Sequence, residues 1–281
     1  MSKLLSANFN RLKKDKIFWI TLIAALTLSV FAAINSGASA TKYQDLNPDN
    51  NITYLNSCYF NLMPIVGIFY AVFISLFLGT EYSEGTIRNK IVLGHTRTNI
   101  YLANFITCLA GNIVIYCAML IGGLAAVPYL GGWQGGAASL LANILIGLFL
   151  TAALTAILTM LCMLSTNKAI TAVAAILLAF VLMVGASAFY NMLQEPEFTR
   201  EFISISADGQ VEFGDEILNP AYVSGFRRKL YEFLLVFLPT GQGILMANQE
   251  IHFPVELIYS SIITVAVNIC GVLAFKKKDL K

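Results

Sequence analysis

Residues able to do chemistry are few in this chain and unevenly placed. The densest polar stretch is TEYSEGTIRNKIVLGHTRTNIY, Thr80 to Tyr101, where Glu81, Glu84, Arg88, Lys90, His95 and Arg97 crowd between two long apolar runs. Carboxylates and cations at this density can pair with one another or grip a partner surface. Bond-breaking chemistry needs more: a nucleophile with a base, a metal set or a phosphate-binding loop. The sequence contains no H-E-x-x-H and no G-x-x-x-x-G-K-[ST]. Its five cysteines, Cys58, Cys108, Cys117, Cys162 and Cys270, fall in or beside apolar runs without paired spacing, as packing residues do.

The elements that must position the polar stretch are apolar. Hydrophobic residues make up 57% of the chain and charged residues 12%, against roughly 25% charged in soluble domains. So little polar surface cannot cover a water-soluble globule of 281 residues. Six runs are long enough for a bilayer core, which takes about 20 mostly apolar residues: 17–34, 57–79, 100–127, 138–164, 169–193 and 255–275. The fold class expected is an all-α membrane protein of one transmembrane domain, 1–281. A seventh run, 233–245, contains Pro239, Gly241 and Gly243 and is too short to span, which reads as re-entrant or interfacial. The N-terminal run lacks a small-residue cleavage site and is expected to be retained.

Thirteen of the 18 Lys and Arg residues fall on one side of a six-span arrangement: near the N-terminus, in the 80–99 insert, at Lys168 and in the C-terminal tail. By the positive-inside rule that side is cytoplasmic, with both termini. Lysine-rich loops and frequent Asn suit a bacterial plasma membrane. Residues 2–16 carry Leu4, Leu5, Phe9 and Leu12 at helical spacing, the pattern of a helix lying on the membrane surface. A polar loop with a turn at Asn47-Pro48-Asp49 is expected over 35–56, and 194–254 forms the largest segment outside the membrane.

A carrier driven by an ion gradient, or an enzyme within the bilayer, needs ionisable groups at membrane depth. Within the six runs only Glu256 qualifies, at the outer edge of the last. His95 and His252 fall on opposite sides and cannot share a metal or a proton. The remaining polar residues, among them Asn104, Asn112, Asn143, Thr151 and Thr155, are of the kind that hydrogen-bond between helices. If the chain transports, its energy comes from elsewhere.

Within the insert, Ser83 is placed to cap a helix, with Glu84 in the first turn and paired to Arg88 at i, i+4, and with Gly94 as the C-terminal stop. The spacing predicts a short amphipathic helix over 83–94. The stretch GTEYSEGTIRNKIVLGHTRTNIYLAN resembles the segment after the second span in permease subunits of the type-2 ATP-binding-cassette exporter family: an acidic residue, then G-T-[IL]-R, then a Thr-Arg pair before the third span. Glu81, Gly85, Thr86, Arg88 and Arg97 match, whereas Asn104 stands where many members have Lys. The layout matches too, including a re-entrant hairpin, here 231–246.

The resemblance implies that 83–94 is a coupling helix docking on a separate cytoplasmic ATPase, that Glu81 and Arg88 hold its junction with the spans, and that 2–16 is a connecting helix. Two permeases, identical or paralogous, and two ATPases would assemble. ATP and Mg would sit on the ATPase, this chain binding no cofactor, no metal and no nucleic acid. Spans two and five would line the path, with Asn61, Pro64, Phe69, Phe180, Phe189 and Tyr190 as candidates. An apolar lining with amides suits a hydrophobic or amphipathic substrate, such as a peptide antibiotic, a drug or a lipid-like compound, and immunity or resistance as the role. The alternative is a membrane-anchored receptor or immunity protein whose segment 194–254 binds a ligand without transport.

Overall fold

The computed structural model describes residues 1–46, 55, 59–129, 133, 136–205 and 211–278. Helix α1 (Ser2–Lys14) leads into α2 (Lys16–Leu46), the first span. A 3-10 turn at Met63–Ile65 opens the second, α3 (Val66–Ser83), followed by the short α4 (Thr86–Val92). Spans three, four and five are α5 (Arg97–Gly123), α6 (Gly136–Leu164) and α7 (Lys168–Gln194). Strands β1 (Phe198–Ile205) and β2 (Val211–Leu218), helices α8 (Gly225–Phe237) and α9 (Pro239–Ala247), and α10 (Val255–Lys277), the sixth span, complete the order. Six helices are long and apolar enough to cross a membrane. Helices α1 and α4 and the C-terminal ends of α3 and α10 share one end of the bundle, the near end, and the 195–254 segment lies at the far end with the start of α3.

Spans two, three and four bury half or more of their length inside the protein, and spans one, five and six less than a third. The buried centre is aromatic: Tyr70, Phe73, Phe77, Tyr101 and Tyr116 are fully enclosed. Around it α2 packs on α5, α3 on α7, and α6 on α10. Lipid tails are as apolar as Leu, so close packing and interhelical hydrogen bonds hold such helices together. The amides and hydroxyls do serve this way. Asn112 Nδ2 donates to Thr155 Oγ1 at 2.8 Å, and Tyr70 and Thr151 hydroxyls meet at 2.9 Å. Two glycines admit tyrosine rings: a Cβ on Gly147 would lie 2.2 Å from Tyr116 Oη, and one on Gly271 2.1 Å from Tyr101 Oη. Cys108 and Cys162 are buried as packing residues, but Cys117 and Cys270 lie on outward faces.

Two expectations need correction, and one element was not foreseen. The helix of the first span continues past Ile34 to Leu46, and along the extension the Asn35 and Thr41 side chains satisfy themselves on the helix's own carbonyls, Phe31 O and Ala38 O. The turn at 47–49 lies outside the described residues. The outer segment carries an antiparallel ribbon, β1 with β2, pairing Phe198 with Leu218 and Ile205 with Val211. Finally, the stretch expected as re-entrant over 231–246 is part of a helix pair that begins earlier, at Gly225: α8 and α9 meet at a bend of 91°. Pro239 sits at the first position of α9 and pushes Leu238 into extended geometry (ψ 134°).

The bent pair is anchored by amides. Gln242 Nε2 donates to Val236 O (2.9 Å) and Glu256 O (3.2 Å), while its Oε1 accepts from Ser260 Oγ (2.7 Å). Glu256, the ionisable residue of the sixth span, is fully buried there.

Replacing Gly147 or Gly271 by Val should cost about 1–3 kcal/mol through overpacking. Gly185, with open space around its Cα, is the control: Gly185→Ala should leave the melting temperature in detergent nearly unchanged. Equal tolerance at all three positions would refute the close tyrosine contacts.

Candidate functional site

Helix α3 extends beyond the apolar run that ends at Gly79. It runs to Ser83, and Gly85 then takes a left-handed conformation (φ 68°) that only glycine adopts without strain, breaking the chain direction before α4. At the other end of α4, Gly94 (φ 85°) closes a Schellman turn: Gly94 N donates to Ile91 O at 2.9 Å and His95 N to Lys90 O at 3.2 Å. Thr96 Oγ1 then accepts from Asn99 N to start α5. The short helix is thus fixed at both ends by glycine turns. It is shorter than 83–94, and Ser83 does not cap it, since its hydroxyl donates back to Thr80 O.

Glu81, in the last turn of α3, is fully buried and stands at the centre of a polar cluster. Arg11 Nη1 of α1 reaches Oε1 at 2.6 Å, and Lys90 Nζ of α4 donates to the same oxygen. Asn104 Nδ2 of α5 donates to Oε2 at 2.8 Å. Asn8 closes the ring: its Nδ2 donates to Asn104 Oδ1 at 2.7 Å, and its Oδ1 accepts from Lys90 Nζ at 3.0 Å. The Arg11 guanidinium also lies 3.8 Å from the centre of the Phe77 ring. Thr86 Oγ1 donates to Glu81 O at 3.0 Å, tying the first residue of α4 to the same turn. One carboxylate therefore binds four helices. Burial pulls the Lys90 ammonium below its ordinary pKa, and the Glu81 charge opposes that shift.

A second cluster joins the other helix ends. Arg97 Nη1 donates to the carbonyls of Phe275 (3.4 Å), Lys276 (2.9 Å) and Lys278, capping the C-terminus of α10. Lys278 Nζ donates to Tyr82 Oη, Met163 O and Ser165 O, each at 2.9 Å. Burial pulls the Lys278 pKa down to about 8.

Of the residues expected at the junction, Glu81 is central and Arg88 is not. Arg88 and Glu84 both face solvent, and no ion pair joins them among the described residues. Glu84 caps α3 rather than opening α4, so the two are not on one helix. The cation that reaches Glu81 from α4 is Lys90. Arg97 serves the tail of α10, and Gly85 and Thr86 form the hinge. Sequence reasoning missed Asn8, Arg11, Lys90 and Lys278. The buried line of α1 is Leu4, Asn8 and Leu12, a strict i, i+4, i+8 stripe in which the amide stands among leucines. Beyond Arg88, α4 ends in Val92 and Leu93, which are 85% and 76% exposed.

The path candidates separate. Asn61, Pro64 and Tyr190 line one far-end cleft of about 430 Å³ with Ser187, Asn191 and Asn248. Phe189 stacks on Tyr231 beside it, ring centres 4.8 Å apart. Phe69 packs against the central core, and Phe180 is half-exposed on the outer face of α7.

A family model described as ABC-2 family transporter protein matches residues 4–186, from α1 through most of the fifth span. No curated protein matches the chain.

Truncating the carboxylate leaves two partly buried cations and the Asn104 amide without their acceptor, so Glu81→Ala should cost about 2–3 kcal/mol, read as a large drop in melting temperature. Arg88→Ala should shift stability by no more than about 0.5 kcal/mol. The reverse order would overturn the assignment of the junction.

Proposed function

The chain belongs to the ABC-2 transporter family, the membrane permease component of ATP-binding-cassette transporters, and on that premise we propose that it is the permease of an ATP-driven exporter whose α4 docks on a separate cytoplasmic ATPase. One observation carries this reading: α4 is bolted on its inner side, through Lys90 and Glu81, to spans two and three and to α1, while Arg88, Val92 and Leu93 face outward. An apolar pair beside an arginine is the composition of a contact surface. Displacement of α4 by a closing ATPase would reach the spans through a buried ion pair rather than a loose loop, the rigid-body kind of switch.

In this reading the near end faces the cytoplasm of a bacterial cell, where the basic residues of α1, α4 and the tail collect. ATP and Mg belong to the ATPase. The outer face of α7, with Ile170, Val173, Leu177, Phe180, Val181 and Val184 exposed, is where a second permease copy would pack, and lipid covers the rest. Substrate passes beside Asn61, Pro64 and Tyr190, and the mixed amide and apolar lining suits a hydrophobic or amphipathic molecule.

With the permease and its ATPase in vesicles, Val92→Asp with Leu93→Asp should lower transport and coupled hydrolysis at least about tenfold, and Arg88→Ala should lower both. Insertion and melting temperature should stay at wild-type values. Full activity in the double variant would remove α4 from the coupling path.

A further inference from the structure

At the far end a second cleft, of about 320 Å³, opens between the end of α7, helix α8 and the loop after α9. That volume lies at the lower end of small-molecule sites, which run from about 300 to 1,000 Å³. Its floor is apolar: Leu235 and Leu245 are buried, and Leu193 and Val236 join them. Its rim carries three fixed charges, Arg228, Glu232 and Glu250.

These charges are not equivalent. Arg228 is spent within the protein: its Nε pairs with Glu232 at 3.2 Å, one turn along α8, and its guanidinium lies over the Tyr222 ring at 5.6 Å. Glu250 has neutral donors only, Tyr190 Oη at 3.0 Å and Gln194 Nε2 at 3.4 Å, and no cation within ion-pair distance among the described residues. The rim, which His252 also lines, therefore carries at Glu250 one carboxylate without an ion-paired cation above an apolar floor. Tyr190 forms a wall shared with the cleft of Asn61 and Pro64, so the pocket adjoins the proposed path.

We propose that this pocket binds a cationic amphiphile, with a single ammonium or guanidinium on Glu250 and an apolar body against Leu193, Leu235, Val236 and Leu245. A charge-assisted hydrogen bond at Glu250 supplies the selectivity for the cation, and the floor supplies affinity without regard to the tail's identity. Its use as an outer substrate site rests on the transport reading above.

The test uses the full chain in lipid vesicles and two photoreactive probes of one alkyl skeleton, one ending in a primary ammonium and the other in a hydroxyl. Labelled peptides are mapped by mass spectrometry. The ammonium probe should label peptides containing 190–194 and 228–236 about tenfold more than the alcohol. Glu250→Gln, which keeps an acceptor for Tyr190, should reduce that labelling to the level of the alcohol. Equal labelling by both probes, or an unchanged ammonium preference in Glu250→Gln, overturns the pocket. With the ATPase present, the ammonium should raise hydrolysis in the wild type and not in Glu250→Gln. Site-selective labelling with no change in hydrolysis would leave the pocket's chemistry intact and count against its use in transport.

Discussion

The structure depends on the one buried carboxylate that is paired with cations. Glu81 sits in the last turn of α3, and it is reached by a guanidinium, an ammonium and an amide from three different helices. An ion at such a depth is costly unless every partner is in place. The chain meets that demand with Arg11, Lys90 and Asn104 and completes the ring with Asn8. Mechanical rigidity follows from the same requirement: α4 cannot shift relative to α3 without uncovering charge in a low-dielectric setting. The bundle's centre is correspondingly quiet, held by hydroxyl and amide pairs and by tyrosines seated on glycines.

Asn104 shows how the cluster is balanced. Here Arg11 and Lys90 already face one carboxylate, and a third cation would leave excess positive charge buried. An amide instead donates to Glu81 and accepts from Asn8, satisfying two groups without adding charge. The second cluster, around Arg97 and Lys278, works on different physics: cations there meet the unpaired carbonyls at the ends of α6 and α10, and so lock the tail to the near end.

Much of the fold was legible because bilayer thickness fixes the length of an apolar run. All six spans could be placed this way, and the proline and glycines of the seventh run marked the bend. What escaped detection depended on contacts between distant parts of the chain. The extension of α2 to Leu46 carries Asn and Thr side chains that bond back to their own helix, a polar composition that by itself reads as loop. The β1–β2 ribbon has alternation too brief to stand out beside spans. At the junction, Glu81 and Gly85 were visible from the motif, but the choice between Arg88 and Lys90 was not. Gly85 breaks the helix in a left-handed turn, so the phase of α4 relative to α3 is set by that turn and by Arg11 and Asn8, which lie 70 residues from Glu81 and 82 from Lys90 and outside any local pattern.

The measurement that bears most directly on the account is gentle purification of the tagged chain from its native membrane, with every stoichiometric partner identified by mass spectrometry. The account predicts a co-eluting ATPase with a phosphate-binding loop, present with the wild-type chain and lost when Val92 and Leu93 are made acidic. A chain that elutes without an ATPase would contradict it and leave α4 as a surface helix with no partner to couple.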